Sequence, residues 1–80
     1  MLRAFAAELK ARRTTLGLSQ EGLAFSSGVN RTFVARLEVA TTSPSLTSLV
    51  RLAQGLQAEP GELIQAVMKR YRKELRASRQ

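Results

Sequence analysis

Residues 18–38 read LSQEGLAFSSGVNRTFVARLE, and no other stretch limits the possible folds of this chain so tightly. Leu23 and Ala24, then Val34 and Leu37, sit at helical spacing, with a single interruption at Gly28. Glycine there supplies the positive φ that closes a helix, a conformation a residue with a Cβ reaches at a cost of about 1 kcal/mol. Ser19 is a suitable N-cap for a helix over residues 20–27, and Asn30 for one over 31–39. The flanking sequence continues in the same period. Leu2, Phe5, Ala6, Leu9 and Leu16 predict a first helix over 2–16, ended by Gly17. After the loop TTSPS, Ser45 caps a fourth helix running to about Leu56, with Leu46, Leu49, Leu52, Ala53 and Leu56 as its buried stripe. In AEPGEL, Glu59 caps a fifth helix, Pro60 enters its first turn and Glu62 takes its third position. With no strand alternation and no internal repeat, the sequence predicts an all-α, compact five-helix bundle.

Composition narrows the chemistry. The 80 residues suffice for one small domain, and they contain neither cysteine nor histidine. Zinc fingers, cysteine nucleophiles and histidine acid–base catalysis are therefore excluded. All six acidic residues are Glu, none in an obvious paired-carboxylate site, so no enzyme, metal or cofactor is expected. No apolar run is long enough to span a bilayer. The opening MLRAFAAELKARR is basic and amphipathic, but it lacks a continuous apolar segment and carries Glu8. It reads as part of the fold, and a cytoplasmic, nucleoid-associated location is expected. The net charge of +7 implies an anionic partner, yet residues 69–80 alone carry +5. Two regions follow: a folded domain over 1–68, and a basic extension of the fifth helix over 69–80. Any case for nucleic-acid binding by the domain must rest on where its few charges lie.

Two short helices locked across Gly28 by Val29, Val34 and Leu37 form the construction in which a second helix projects its outer face into the DNA major groove. The stretch quoted above, followed by SPSLTSLVRLAQGL and PGELI, resembles the phage-repressor/Cro-type (XRE) helix-turn-helix family over residues 5–64. The joint pattern of Gln20, Ala24, Gly28, Val34, Leu37 and Glu38 with Pro44-Ser45-Leu46 carries that resemblance. NRTFVARLE is also similar to the recognition helix of restriction–modification controller proteins. The resemblance implies a lambda-repressor-like DNA-binding bundle with its helix-turn-helix in helices 2 and 3. It also implies a sequence-specific transcription regulator, expected to act as a dimeric repressor on double-stranded DNA.

By the same resemblance, Arg31, Thr32 and Arg36 correspond to base-reading positions. Arginine there pairs with guanine through two hydrogen bonds, worth about 1–3 kcal/mol of discrimination each. Gln20 corresponds to a phosphate contact, and Ser19, Asn30, Thr42 and Ser43 are further candidate phosphate donors. Arg13 and Glu38 match a pair that many members use as a partly buried salt bridge to set the recognition-helix angle. Several positions depart from the family pattern. Arg12 replaces a leucine and predicts an exposed or DNA-facing charge. Ala40 and Gln57 stand where glycines end helices, with Gly55 near the latter, and Val39 replaces a polar residue. Leu16 and Phe25 lie where polar side chains are common. Ile64, Val67, Met68, Tyr71 and Leu75 extend an apolar strip along the fifth helix and predict a two-fold homodimer. Two rival functions are an antitoxin, using such exposed apolar residues against a toxin, and membrane-surface association through the basic tail. The six basic tail residues are expected to be solvated or to seek phosphate rather than read bases.

Overall fold

In the computed structural model, which describes residues 1–79, five helices follow one another through short connections. They are α1 (Leu2–Thr15), α2 (Gln20–Ser27), α3 (Arg31–Glu38), α4 (Leu46–Gly55) and α5 (Pro60–Ser78). Four of them start at side-chain caps the sequence predicts. Ser19 Oγ accepts from the Gly22 N–H at 2.9 Å, and Asn30 Oδ1 from that of Thr32 at 2.7 Å. Ser45 Oγ accepts from Ser48 at 3.1 Å and Glu59 Oε2 from Glu62 at 2.9 Å. Each cap satisfies an N–H that has no partner inside its helix.

The first four helices end alike, with a left-handed residue bracketed by two backbone hydrogen bonds. After α2 this residue is Gly28, with φ 69°. Its own N–H bonds the Phe25 carbonyl at 3.3 Å, and Val29 N–H bonds that of Ala24 at 3.0 Å. After α3 and α4 the residues are Ala40 (φ 61°) and Gln57 (φ 57°). Thr41 N–H still reaches the Arg36 carbonyl at 3.1 Å, and Ala58 N–H that of Ala53 at 2.8 Å. The turn geometry has thus been kept without glycine, at roughly 1–2 kcal/mol of backbone strain per residue. Gly55 has a different task from ending α4. A Cβ there would lie 1.9 Å from Ser27 Oγ and 3.0 Å from Ser27 Cβ, so glycine permits the close crossing of α4 over α2.

The core joins all five helices through Phe5, Leu9, Leu23, Val34, Leu37, Leu52 and Leu63, with their smaller neighbours. Leu46 is not part of it. It occupies the first turn of α4, ahead of the residues the neighbouring helices cover, and is 76% exposed. α1 packs between α3 and α5, whereas α2 packs on α3 and α4.

Ion pairs tie α5 antiparallel to α1. The Arg12 fork donates to Glu62 at 2.8 and 2.6 Å, and its Nε donates to Glu8 at 2.5 Å. Glu8 accepts again from Arg70 Nε at 2.6 Å, and Glu74 lies 3.3 Å from Arg3 Nε. Burial pushes the Glu8 carboxyl up, but hydrogen bonds from Arg70 and Arg12 outweigh it and hold the group below its ordinary value. Arg12 therefore corrects the expectation of an exposed or DNA-facing charge: two carboxylates hold it along α1. Arg70 and Glu74 likewise belong to the α1 seam. α5 is one unbroken helix to Ser78, most of the way along the basic extension, whose last residue, Gln80, lies outside the described residues.

Two substitutions test the non-glycine turns. Ala40→Gly and Gln57→Gly should each raise unfolding stability by about 0.5–1 kcal/mol, after the extra chain entropy of glycine is deducted. Urea denaturation of the single variants measures this, and loss of stability in both would contradict the strain. Gly55→Ala should instead lose about 1–2 kcal/mol by overpacking.

Candidate nucleic-acid interface

α3 divides its residues sharply. Val34 and Leu37 are fully buried, while Arg31, Thr32 and Arg36 are exposed. Five residues of helix separate the two arginines by about 140°, so they flank one outward face. Among the described residues neither has a carboxylate partner, unlike Arg3, Arg12, Arg13 and Arg70. Arg36 sits in the last turn, where a cation suits the helix dipole. Arg31 occupies the first position, where the same dipole opposes it by about 0.3–1 kcal/mol. A cation placed against its own helix and left unpaired is poorly explained by folding.

What fixes α3 is a buried polar network at its other end. Arg13 Nε donates to Glu38 Oε2 at 2.6 Å and Nη2 donates to Oε1 at 3.0 Å. Its remaining Nη1 donates to the Leu18 carbonyl at 2.7 Å, at the corner between α1 and α2. Gln20 Nε2 completes the set by donating to Glu38 Oε1 at 3.0 Å. The side chain of Glu38 is only 3% exposed and that of Arg13 12%. One carboxylate thus joins the end of α1, the start of α2 and the last turn of α3. Burial raises the Glu38 pKa, but the Arg13 and Gln20 hydrogen bonds, with the charges of Arg13 and Lys10, outweigh it and leave it below its ordinary value.

The other expected contacts fall in two groups. Ser19 and Asn30 use their oxygens as caps, which leaves the Ser19 hydroxyl proton and the Asn30 amide N–H groups available. Thr42 is half-buried and Ser43 exposed, in the loop between α3 and α4. Gln20 is the residue sequence reasoning saw incompletely. Its amide is engaged with Glu38, eighteen residues away, and no local pattern marks that bond. On α5, Val67 is corrected: it is 6% exposed inside the core of its own chain, so it cannot line an open face. Tyr71 is half-buried against the same core, whereas Ile64 and Leu75 remain exposed and Met68 intermediate. Phe25 stands 90% exposed on the outside of α2.

A helix-turn-helix family model matches residues 9–63, which spans all of α2–α4. The chain belongs to this helix-turn-helix family. It is a DNA-binding transcription regulator of that family, with a fold shared by solved neighbours. The restriction-modification controller protein C.AhdI from Aeromonas hydrophila is 44% identical, over 78% of this chain and 94% of that one, with a TM-score of 0.74. The wild-type controller protein C.Esp1396I is 25% identical over 90% of this chain and 94% of that one, with a TM-score of 0.81. The C.Esp1396I tetramer, solved with its natural 35 base-pair operator, is 25% identical over 86% and 91% of the respective chains, with a TM-score of 0.79. No curated protein matches the chain.

The network predicts a defined acid response for this helix-turn-helix protein. A lowered Glu38 pKa means its contribution is complete above its ordinary pKa of 4.5 and is lost as pH falls below that. Glu38→Gln should cost about 3 kcal/mol at neutral pH, because it leaves Arg13 buried beside a neutral group. The gap between the two proteins should then narrow on acidification toward pH 3, as followed by chemical denaturation at each pH. A gap of constant size would refute the assignment.

Proposed function

We propose that this chain controls transcription from a promoter by binding a two-fold symmetric operator as a dimer, in the manner of a restriction–modification controller. The observation that carries the reading is the unpaired, outward pair Arg31 and Arg36 on an otherwise anchored α3. In this reading both arginines and Thr32 meet base edges in the major groove. Arginine hydrogen-bonds the O6 and N7 atoms of guanine, so each half-site contains at least one guanine. Ser19, Gln20, Asn30, Thr42 and Ser43 supply the candidate phosphate contacts, which set register but carry no sequence information. Gln20 contributes there through its position in the first turn of α2, where backbone N–H groups also point outward. Repression follows wherever the occupied site overlaps the polymerase footprint.

The dimer contact is the strip of Ile64, Met68 and Leu75, which fall within about 40° of one another around α5, with the outer edge of Tyr71 beside them. It leaves Val67 to the monomer core. Two-fold symmetry then sets two copies of α3 about one DNA turn apart. The controller neighbours favour promoter control over the antitoxin reading. No helix among the described residues is long and apolar enough to cross a membrane.

Selection from randomised duplexes tests the reading face. Arg31→Ala and Arg36→Ala should each lose preference at a guanine position, weakening binding to the selected site about 10- to 100-fold. Arg31→Ala should at the same time keep or slightly raise thermal stability, since it removes a cation from the wrong end of a dipole. Unchanged site preference in both variants would overturn the assignment. For the dimer, Ile64→Glu combined with Leu75→Glu should give a monomer in sedimentation equilibrium. A dimer that persists would place the interface elsewhere.

A further inference from the structure

The cations of α5 separate into two sets once their partners are known. Arg70 points to α1 and pairs with Glu8, while Glu74 pairs with Arg3 on the same side. Lys69, Arg72, Lys73 and Arg76 are exposed and have no carboxylate partner among the described residues. At 100° per residue these four fall within roughly 100° of each other, on the side of α5 directly away from the buried Leu63 and Val67. The apolar strip of Ile64, Met68 and Leu75 lies between the core side and this cationic stripe. A dimer built on the strip therefore leaves the stripe uncovered.

Its position relative to α3 follows from α1. Glu8 faces α5 through Arg70, and Arg13 faces α3 through Glu38. Those two residues point about 140° apart around α1. α3 and α5 consequently occupy different flanks of α1, and the stripe faces away from the core on the α5 flank.

We infer that this stripe is a second, sequence-independent binding face for the phosphate backbone of double-stranded DNA. From Lys69 to Arg76 it runs about 10 Å, over which one DNA strand carries about three phosphates. The stripe has no aromatic side chain for stacking unpaired bases and no helix terminus aimed at a ligand; it offers charge alone. Its occupant is the phosphate backbone of a duplex, met without regard to sequence. Binding at this face adds to operator recognition and does not depend on which bases α3 selects.

The test uses the full chain with Lys69, Arg72, Lys73 and Arg76 all changed to Gln, bound to a random-sequence duplex across a salt series. The slope of log K against log salt should become shallower by about 2–3 relative to the unaltered chain. A companion variant, Arg72→Lys with Arg76→Lys, should keep the original slope. The same neutralisation made in an Arg31→Ala, Arg36→Ala background should give the same change in slope, which separates this face from the reading face. An unchanged slope, with helix content intact by circular dichroism, would overturn the inference. So would loss of binding to phosphatidylserine vesicles with duplex binding unaltered, which would assign the stripe to a membrane surface.

Discussion

The orientation of α3 depends on one carboxylate. Glu38 is almost wholly buried and is met by two hydrogen bonds from Arg13 and one from Gln20. Burying such a pair offers little net stability, because the desolvation of both charges nearly cancels their attraction. Its effect is on geometry. Any other orientation of α3 strands a charge in the interior, at a cost of about 3–5 kcal/mol. Apolar contacts from Val34 and Leu37 hold α3 on the bundle, yet they are non-directional and tolerate rotation. The ionic network supplies the direction, and so determines where Arg31 and Arg36 point.

The arginines of the chain thus divide by what they meet. Arg12, Arg13 and Arg70 meet glutamates and join helices, while Arg31 and Arg36 meet none among the described residues and face outward. This division explains how a domain whose first 68 residues carry only +2 can present a cationic face on α3. The glutamates neutralise structural cations on the bundle flanks and leave the α3 face unopposed. The strain at Ala40 and Gln57 belongs to the same economy of a small fold, in which packing holds turns that local preference would not choose.

Much of this was legible in the sequence because it is local. Caps at Ser19, Asn30, Ser45 and Glu59, and the left-handed turn at Gly28, are dictated within four residues of where they act. The outward side of α3 follows from the spacing of Val34 and Leu37. What escaped is set by distant partners. Arg12 looked like an exposed charge because Glu62 lies fifty residues on, and only the antiparallel packing of α5 brings them together. The hydrogen bond from Gln20 to Glu38 had no local signal, because it joins the first turn of α2 to the last turn of α3. Val67 lies on the border between two faces of α5, where periodicity alone cannot separate core from interface. Gly55 shows the converse: a residue that resembled a displaced helix stop is required by the proximity of Ser27.

The orientation of α3 rests most directly on the coupling between Arg13 and Glu38, which a double-mutant cycle isolates. Arg13→Ala, Glu38→Ala and the double variant would be compared in unfolding free energy and in the bases they select from randomised duplexes. A coupling of about 1.5–3 kcal/mol in stability is expected, with selectivity degraded in both single variants although neither residue lies on the proposed reading face. Coupling below about 0.5 kcal/mol, together with unaltered base selection, would contradict it.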